Sequence, residues 1–362
     1  MNNLRVAIIG GGLSGLYTAR LLTQMNVAFV LFEARERLGG RILSTPGNGP
    51  AHDLGPAWWW PDFQPRMAAL ISALGLIVFP QYSDGATLLE KSPHETAKRV
   101  RGYASGNLSM RIQGGVSQLT QALAAQIAPE RVVLNARISG MRLSDSGITL
   151  HTDAGQGVSE QSFTHVISAV PLRLLAQDIH FEPRRSPTII QRWSGTPTWM
   201  APHAKYVAVY DRPFWHDEGL SGTAQSHVGP MVEIHDASDA SASAALFGFV
   251  GIPATERLAM GEAALLEQCR LQLVRLFGGQ AATPVAHYIK DWAADRLTAS
   301  PADLETRQRH FATGYSRPDQ DAWSKRLLVS GTEASIEHNG YMEGALDAAE
   351  SAVERLRIFV DQ

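Results

Sequence analysis

What this sequence has little of narrows it first. It holds one cysteine, Cys269, so no disulfide can form within the chain. Without a thiol partner, Cys269 reads as a small apolar residue of a helix over residues 262–276. A lone cysteine fits a reducing compartment, and a cytoplasmic location is the expectation. No apolar run reaches the ~18 residues of a membrane-spanning helix, so no membrane association is expected. The opening residues, Met1-Asn2-Asn3-Leu4-Arg5, are too few and too polar for a secretory leader. Neither sign of charge is in excess. The formal net charge of −3 gives no basic field for nucleic acid or anionic lipid. The histidines show no ligand spacing, so no metal is expected. No Ser-His-Asp arrangement or catalytic carboxylate pair stands out.

What is present is globular: 44% hydrophobic and 19% charged, over 362 residues, a length that suggests two domains. The chain opens on Val6-Ala7-Ile8-Ile9, a short β-branched run that reads as a buried strand. It passes directly into Gly10-Gly11-Gly12-Leu13-Ser14-Gly15, and then into a run with helical apolar spacing. A second strand, Ala28-Phe29-Val30-Leu31-Phe32, ends on the acid Glu33. Strand, G-x-G-x-x-G turn, helix, strand and acid together predict a dinucleotide site. Gly10 allows the tight turn, Gly12 lets the backbone approach a pyrophosphate, and Gly15 lets helix and strand pack closely. The helix N-terminus, with Leu13 and Ser14, offers free N–H groups to phosphate. Glu33 is placed to accept hydrogen bonds from a ribose diol.

The run after Glu33 is Ala34-Arg35-Glu36-Arg37-Leu38-Gly39-Gly40-Arg41. A nicotinamide site has no need of a second glycine pair and arginine. A chain that retains FAD does, since Arg41 can neutralise a pyrophosphate and Gly39-Gly40 let backbone pass close to it. Glu33 through Arg41, Ala34 and Arg35 included, resembles the FAD-dependent amine oxidase family of monoamine and polyamine oxidases. The other end agrees: Arg326-Leu327-Leu328-Val329-Ser330-Gly331-Thr332-Glu333, then His338-Asn339-Gly340-Tyr341-Met342-Glu343 and a helix to about residue 359. The resemblance implies that Glu333, after Gly331, binds ribitol. It places the Gly340–Met342 backbone at the flavin's pyrimidine edge, and Tyr341 as one tyrosine of an aromatic cage. The helix dipole there would favour negative charge on reduced flavin. His338 stands where many members have tryptophan, and reads equally as a packing residue or a substrate contact.

Landmarks between the ends match too. His52-Asp53-Leu54-Gly55-Pro56-Ala57-Trp58-Trp59-Trp60 resembles the segment that passes the flavin ring. Gly55, Pro56, Ala57 and Trp58 are therefore expected at the cofactor, with Trp58 facing flavin or substrate more than Trp59 or Trp60. A helix is predicted over 63–76, and another from the Gly114-Gly115 turn to about 127, with Ser117 helping to cap it. Residues 131–138 read as one strand, and by resemblance the Ile138 backbone holds the adenine edge. Residues 236–245, rich in Ser, Ala and Asp, read as a loop or a helix start. Lys205-Tyr206-Val207-Ala208-Val209-Tyr210 alternates like a strand, and Lys205 stands nine positions before Phe214 of Pro213-Phe214-Trp215. The family uses that spacing to hold a water at the flavin, which marks Lys205 as catalytic. Tyr288-Ile289-Lys290-Asp291-Trp292 matches the strand ending in tryptophan, so Trp292 joins the cofactor set.

The departures are equally informative. Leu297-Thr298-Ala299-Ser300-Pro301 replaces the segment where some members carry a flavin-bonded cysteine, so FAD is expected to be non-covalent. Simple spacing puts Ala302 at the first cage tyrosine, so no two-tyrosine cage is expected. The stretch between Gly75 and Gly114 is short where monoamine oxidases have a long helical insertion, which predicts an open site. The chain stops soon after its last helix, so the membrane anchor of the mitochondrial members is not expected. The implied fold is α/β: a Rossmann-type FAD-binding domain, from residues 1–57, 112–172 and 326–362, interleaved with an α+β substrate domain from 58–111 and 173–325. The implied reaction is hydride transfer from an amine to FAD, hydrolysis of the imine, and reoxidation by O2 to H2O2, with Lys205, Tyr341 and Trp58 at the substrate. Related FAD dehydrogenases or desaturases, a renalase-like oxidase of reduced nicotinamides, and a flavin-binding protein with little turnover share the terminal motifs. The Lys205 spacing favours the amine oxidase.

Overall fold

A computed structural model of the chain describes residues 4–47, 51–101, 108–153, 158–239, 243–304 and 320–360. The first strand, β1 (Arg5–Ile9), leads through the glycine turn into helix α1 (Leu13–Gln24) and then β2 (Ala28–Phe32). β1 lies between β2 and His165–Ser168, parallel to both. Val132–Val133 and Leu327–Val329 close the two edges, making a five-stranded sheet. Val6, Ala7 and Ile8 are fully buried. Both faces of a parallel sheet are covered, so its strands need unbroken apolar runs rather than alternation.

The strand expected over residues 131–138 is instead broken. Pro129–Arg131 forms a single 3-10 turn and Val132–Val133 pairs with β2. Asn135 then adopts φ 54°, and Arg137–Ser144 enters a different sheet with Gly147–Asp153, Val158–Phe163 and His180–Glu182. Asparagine tolerates the left-handed conformation that such a corner requires. Ser117 does not cap its helix, Ser117–Ala124; its hydroxyl instead accepts from Ser44 Oγ at 2.8 Å. The N–H of Val116, just ahead of that helix, is taken by buried Asp53.

A larger, seven-stranded sheet carries the other half of the molecule. Its order is Ala286–Asp291, β3 (Ala204–Tyr210), β5 (Ala244–Val250), β4 (Met231–Asp236), Leu220–Ser226, Ala86–Glu90 and Lys98–Arg101. The last two strands come from the short segment between Gly75 and Gly114, which thus extends a sheet edge. On one face Tyr206, Ala208, Leu246 and Val250 pack against helix α3 (Glu262–Phe277), where Cys269 is fully buried. On the other, Val207, Ala245 and Phe247 pack with Leu54 and Trp58. β4 and β5 absorb Asp236, Ala244 and Ala245 from the expected loop. Residues 237–239 and 243 are not helical, and 240–242 lie outside the described residues.

The chain returns to the first sheet through a helix over Met342–Val360, whose buried Leu346, Ala352 and Leu356 join the core beneath β1 and α1. The helix predicted over 63–76 is observed as Pro65–Ala73, and Glu343 caps it from across the interface. Its carboxylate takes the backbone N–H of Arg66 at 3.0 Å and of Met67 at 2.8 Å. Among the described residues no helix is long and apolar enough to cross a membrane, and no cluster of three or more His, Cys, Asp or Glu could hold a metal ion.

Candidate active site and cofactor cleft

A cleft of about 720 Å³ runs between the two sheets. At one end it meets the turn after β1. Gly10, at φ 102°, donates from its N–H to the Phe32 carbonyl. Gly12 is the N-cap of α1 and provides no side-chain cap, and the first turn of the helix carries no acidic residue. The leading N–H groups of α1, with their positive dipole end, are thus left for an anion. Gly12, Leu13 and Ser14 line the cleft. Gly15 does not: a side chain there would collide with the Gly10 carbonyl, so its role is packing. Gly39 donates to the Gly11 carbonyl at 2.8 Å, and a Cβ on Gly40 would stand 3.1 Å from the Gly12 Cα. The second glycine pair therefore seats its loop on the first.

Glu33 is buried, and its two oxygens accept from Gly11 N at 2.7 Å and Arg35 N at 2.8 Å. Its remaining lone pairs face the cleft, beside Ala34, Arg35 and Ile138. Arg41 pairs with Glu333, Nη1 to Oε1 at 2.8 Å, and donates to the Trp199 carbonyl at 3.2 Å. Arg41 and Glu333, each expected to meet the cofactor separately, thus hold each other. Glu333 is 1% exposed; Arg41 alone holds its Oε1, and its Oε2 has no hydrogen-bond partner among the described residues, a costly state for a buried carboxylate oxygen.

The far end is aromatic and holds one buried cation. Lys205 donates from Nζ to the Gly55 carbonyl at 3.0 Å and lies 4.0 Å over the Phe247 ring. Burial pulls its pKa down to about 7, against the opposing attraction of Asp53. Lys205 therefore gains and loses its proton around neutral pH. Asp53 is itself pushed up by burial, while Lys205 and Arg111 hold it back. Gly55, Pro56, Ala57 and Trp58 line the cleft as expected, as do Trp292, Gly331, Gly340, Tyr341 and Met342. Trp58 donates to Gln81 and packs edge-on to His235, and Trp292 donates to the Leu54 carbonyl.

Several lining residues were not expected. Trp60, ranked below Trp58, lines the cleft and stands edge-on to Tyr341 at 6.0 Å, stacked on Phe63. Trp59 is core. Trp199 reaches the cleft because Gly340 makes room; a Cβ there would lie 2.8 Å from its ring. His203, Glu233 and Phe249 also line the cleft, whereas Ala302 and His338 do not. Only Phe249 had a sequence signal, as part of an apolar strand. The rest depend on which loops meet.

The residues fit a dinucleotide flavin: a glycine cradle, an uncapped helix end, a diol-accepting acid and a buried carboxylate with one unpartnered oxygen lie along one cleft. The profile of NAD(P)-binding Rossmann-like domains matches residues 8–74, and that of flavin containing amine oxidoreductases matches residues 79–357. The Dictyostelium discoideum protein named "Probable flavin-containing monoamine oxidase A" is 28% identical, over 95% of this chain and 95% of its own. Putrescine oxidase of Kocuria rosea is 23% identical over 95% and 94%. The solved structure of cyclohexylamine oxidase from Brevibacterium oxydans IH-35A superposes with a TM-score of 0.81 at 18% identity, covering 99% of this chain and 100% of that one, which shows the same fold. The protein thus belongs to the flavin containing amine oxidoreductases, as an FAD-dependent amine oxidase.

Proposed function

We propose that FAD lies along the cleft without a covalent bond, and that the enzyme oxidises the carbon–nitrogen bond of a small amine with dioxygen as final acceptor. Bound FAD supplies the hydride acceptor, so that R–CH2–NH2, O2 and water give the aldehyde, ammonia and hydrogen peroxide. Gly10, Gly12, Leu13 and Ser14 would hold the pyrophosphate, Glu33 the adenosine ribose, and Ile138 the adenine edge. Glu333, Gly331 and the Gly340–Met342 turn would hold the ribitol and ring end. Trp58, Trp60 and Tyr341 would wall the substrate and exclude water, which lowers the pKa of a bound amine toward the neutral form that hydride loss needs. Lys205 would offer a proton-bearing nitrogen beside the reacting end.

The observation that carries this reading is a fully buried lysine opening on the same cleft as the glycine turn. The sole cysteine supports the non-covalent attachment, since Cys269 lies on α3 and is buried in the core between that helix and the sheet. The division into 1–57, 112–172 and 326–362 against 58–111 and 173–325 is part of the proposal. Strand membership supports it except at His180–Glu182, which pairs with Arg137–Ser144. The relatives are named for amines of different shape, so the reaction class transfers and the substrate does not. The test is anaerobic mixing of the yellow protein with a panel of amines, followed by air. Bleaching by an amine, peroxide on reoxidation and FAD in the acid supernatant are expected. Bleaching by reduced nicotinamide alone, or flavin that stays with the precipitate, contradicts the reading.

A further inference from the structure

One piece of chain holds two of the tryptophans that line the cleft. Val78–Pro80 and Met110–Ile112 form a two-stranded antiparallel ribbon, both strands coming from the short segment between Gly75 and Gly114. Trp59 lies along this ribbon. Its N–H donates to the Met110 carbonyl at 3.0 Å, and the Met110 N–H returns the bond at 2.8 Å. Successive side chains of extended backbone point to opposite sides. Trp59 therefore enters the core, while Trp58 and Trp60 turn together toward the cleft.

Each of those two indoles is tied at its nitrogen. Trp58 Nε1 donates to Gln81 Oε1 at 2.7 Å, and Trp60 Nε1 donates to Ser109 Oγ at 2.8 Å. Gln81 directly follows Pro80, Ser109 directly precedes Met110, and the Gln81 N–H donates to the Ser109 carbonyl at 2.8 Å. The two acceptors thus sit side by side at one end of the ribbon. The Gln81 amide has one orientation, because its Nε2 donates to the Asp236 carbonyl at 2.8 Å and the Tyr82 carbonyl at 3.2 Å. Turned over, it would set a donor against the indole N–H and an oxygen against two carbonyls. Asp236 is itself fully buried, its carboxylate taking Trp215, His216 and the Ser238 N–H. The indoles lean on different halves of the molecule. Trp58 packs on His235 and Phe247 of the larger sheet, whereas Trp60 stacks on Phe63 and stands edge-on to Tyr341.

We propose that Gln81 and Ser109 are positioning residues for amine oxidation: through the two indole N–H groups they fix the separation and tilt of the walls that orient the reacting carbon. The proposal rests on the amine-oxidase reading above. Neither side chain lines the cleft, so each acts only through its tryptophan. Ring packing alone lets an indole turn within its slot, whereas the N–H bond selects one direction.

The test is the limiting rate of anaerobic flavin reduction, measured with whichever of butylamine, benzylamine and 1,4-diaminobutane reacts fastest. Ser109→Ala removes one acceptor and little else. It should cut that rate about tenfold, since a small misplacement of reacting groups is costly, while FAD content and reoxidation by O2 stay as in the parent. Ser109→Thr keeps a hydroxyl and should restore the rate. Gln81→Leu should act in the same way through Trp58. In Trp60→Phe, which has no N–H to hold, Ser109→Ala should have no further effect. A second readout needs no turnover. The eight tryptophans give eight indole signals in nitrogen–proton correlation NMR. The signal missing from Trp60→Phe should move upfield in Ser109→Ala and exchange faster with water. Parent rates in both single variants, an equal loss from Ser109→Ala with and without the Trp60 indole, or an unmoved Trp60 signal overturns the proposal and leaves the amine-oxidase reading standing. Failure of every amine to bleach the parent's flavin removes both.

Discussion

Lys205 loses its proton near pH 7 because it is fully enclosed between Gly55, Phe247 and the Asp53 pocket. If its ammonium stabilises the charge that builds on dioxygen, flavin reoxidation should slow as pH rises through about 7. Lys205→Met should reoxidise about tenfold more slowly at pH 6, about 1.4 kcal/mol of barrier, with no inflection. Stopped-flow absorbance after anaerobic reduction separates this step from reduction, and an unchanged profile would sink the idea. The same shift bears on stability. The unfolded lysine titrates near 10.4, so between about pH 7 and 10.4 the unfolded chain holds a proton that the folded chain lacks. Parent stability from this group therefore rises with pH across that window. Lys205→Met should exceed the parent in denaturant midpoint most at pH 7, by a margin that shrinks toward pH 10. Glu33→Ala should weaken FAD binding between tenfold and a hundredfold, from the roughly 1.5–3 kcal/mol of a charge-assisted hydrogen bond; FAD retained through dialysis as in the parent would exclude Glu33 as the ribose ligand. The glycine turn, Glu33 and Lys205 were legible in the sequence because each is fixed by spacing along one strand or turn. Trp60, Trp199, His203 and Glu233 were not, because segments distant in the chain bring them together.

Elements were read well where one periodic run makes one element, as at β1, α1, β3 and α3. They were misread where a single backbone angle intervenes. Asn135 at φ 54° divides an apolar run between two sheets, and Val232 switches the faces of β4; neither leaves a mark in hydropathy. Caps were misjudged for the same reason, since their partners come from elsewhere. Glu343 is fully buried and secures the first N–H groups of helix α2 (Pro65–Ala73) from another helix. Glu343→Ala should leave two donors unpaired and lower unfolding stability by about 2 kcal/mol, the upper range for a lost cap. Glu343→Gln should recover part of that loss. Chemical denaturation of the two variants distinguishes this from a local change at the flavin, which would move the absorbance spectrum without moving the midpoint.

Over the whole molecule, the parallel nucleotide-binding sheet followed from the terminal motifs, since that half reuses a local βαβ pattern. The shape of the substrate half did not, because its sheet draws strands from three separated stretches of chain. The short segment between Gly75 and Gly114 supplies edge strands of that sheet. Bulky amines should therefore be turned over with less than about a tenfold loss in kcat/KM, or 1.4 kcal/mol; a strict limit to the smallest amines would contradict this. The ion pair of Arg41 with Glu333 has a consequence for biosynthesis. Arg41 and the glycine turn leave the ribosome well before Leu327–Val329, Glu333 and the helix over Met342–Val360. Until then His165–Ser168 has one neighbour strand missing from its sheet, and the cradle has one wall. Pairings so far apart in sequence form slowly and leave strand edges uncovered meanwhile. On the proposed FAD site, cofactor capture would come late in maturation, and a cell short of riboflavin should hold less of the protein because proteases clear the unfilled form.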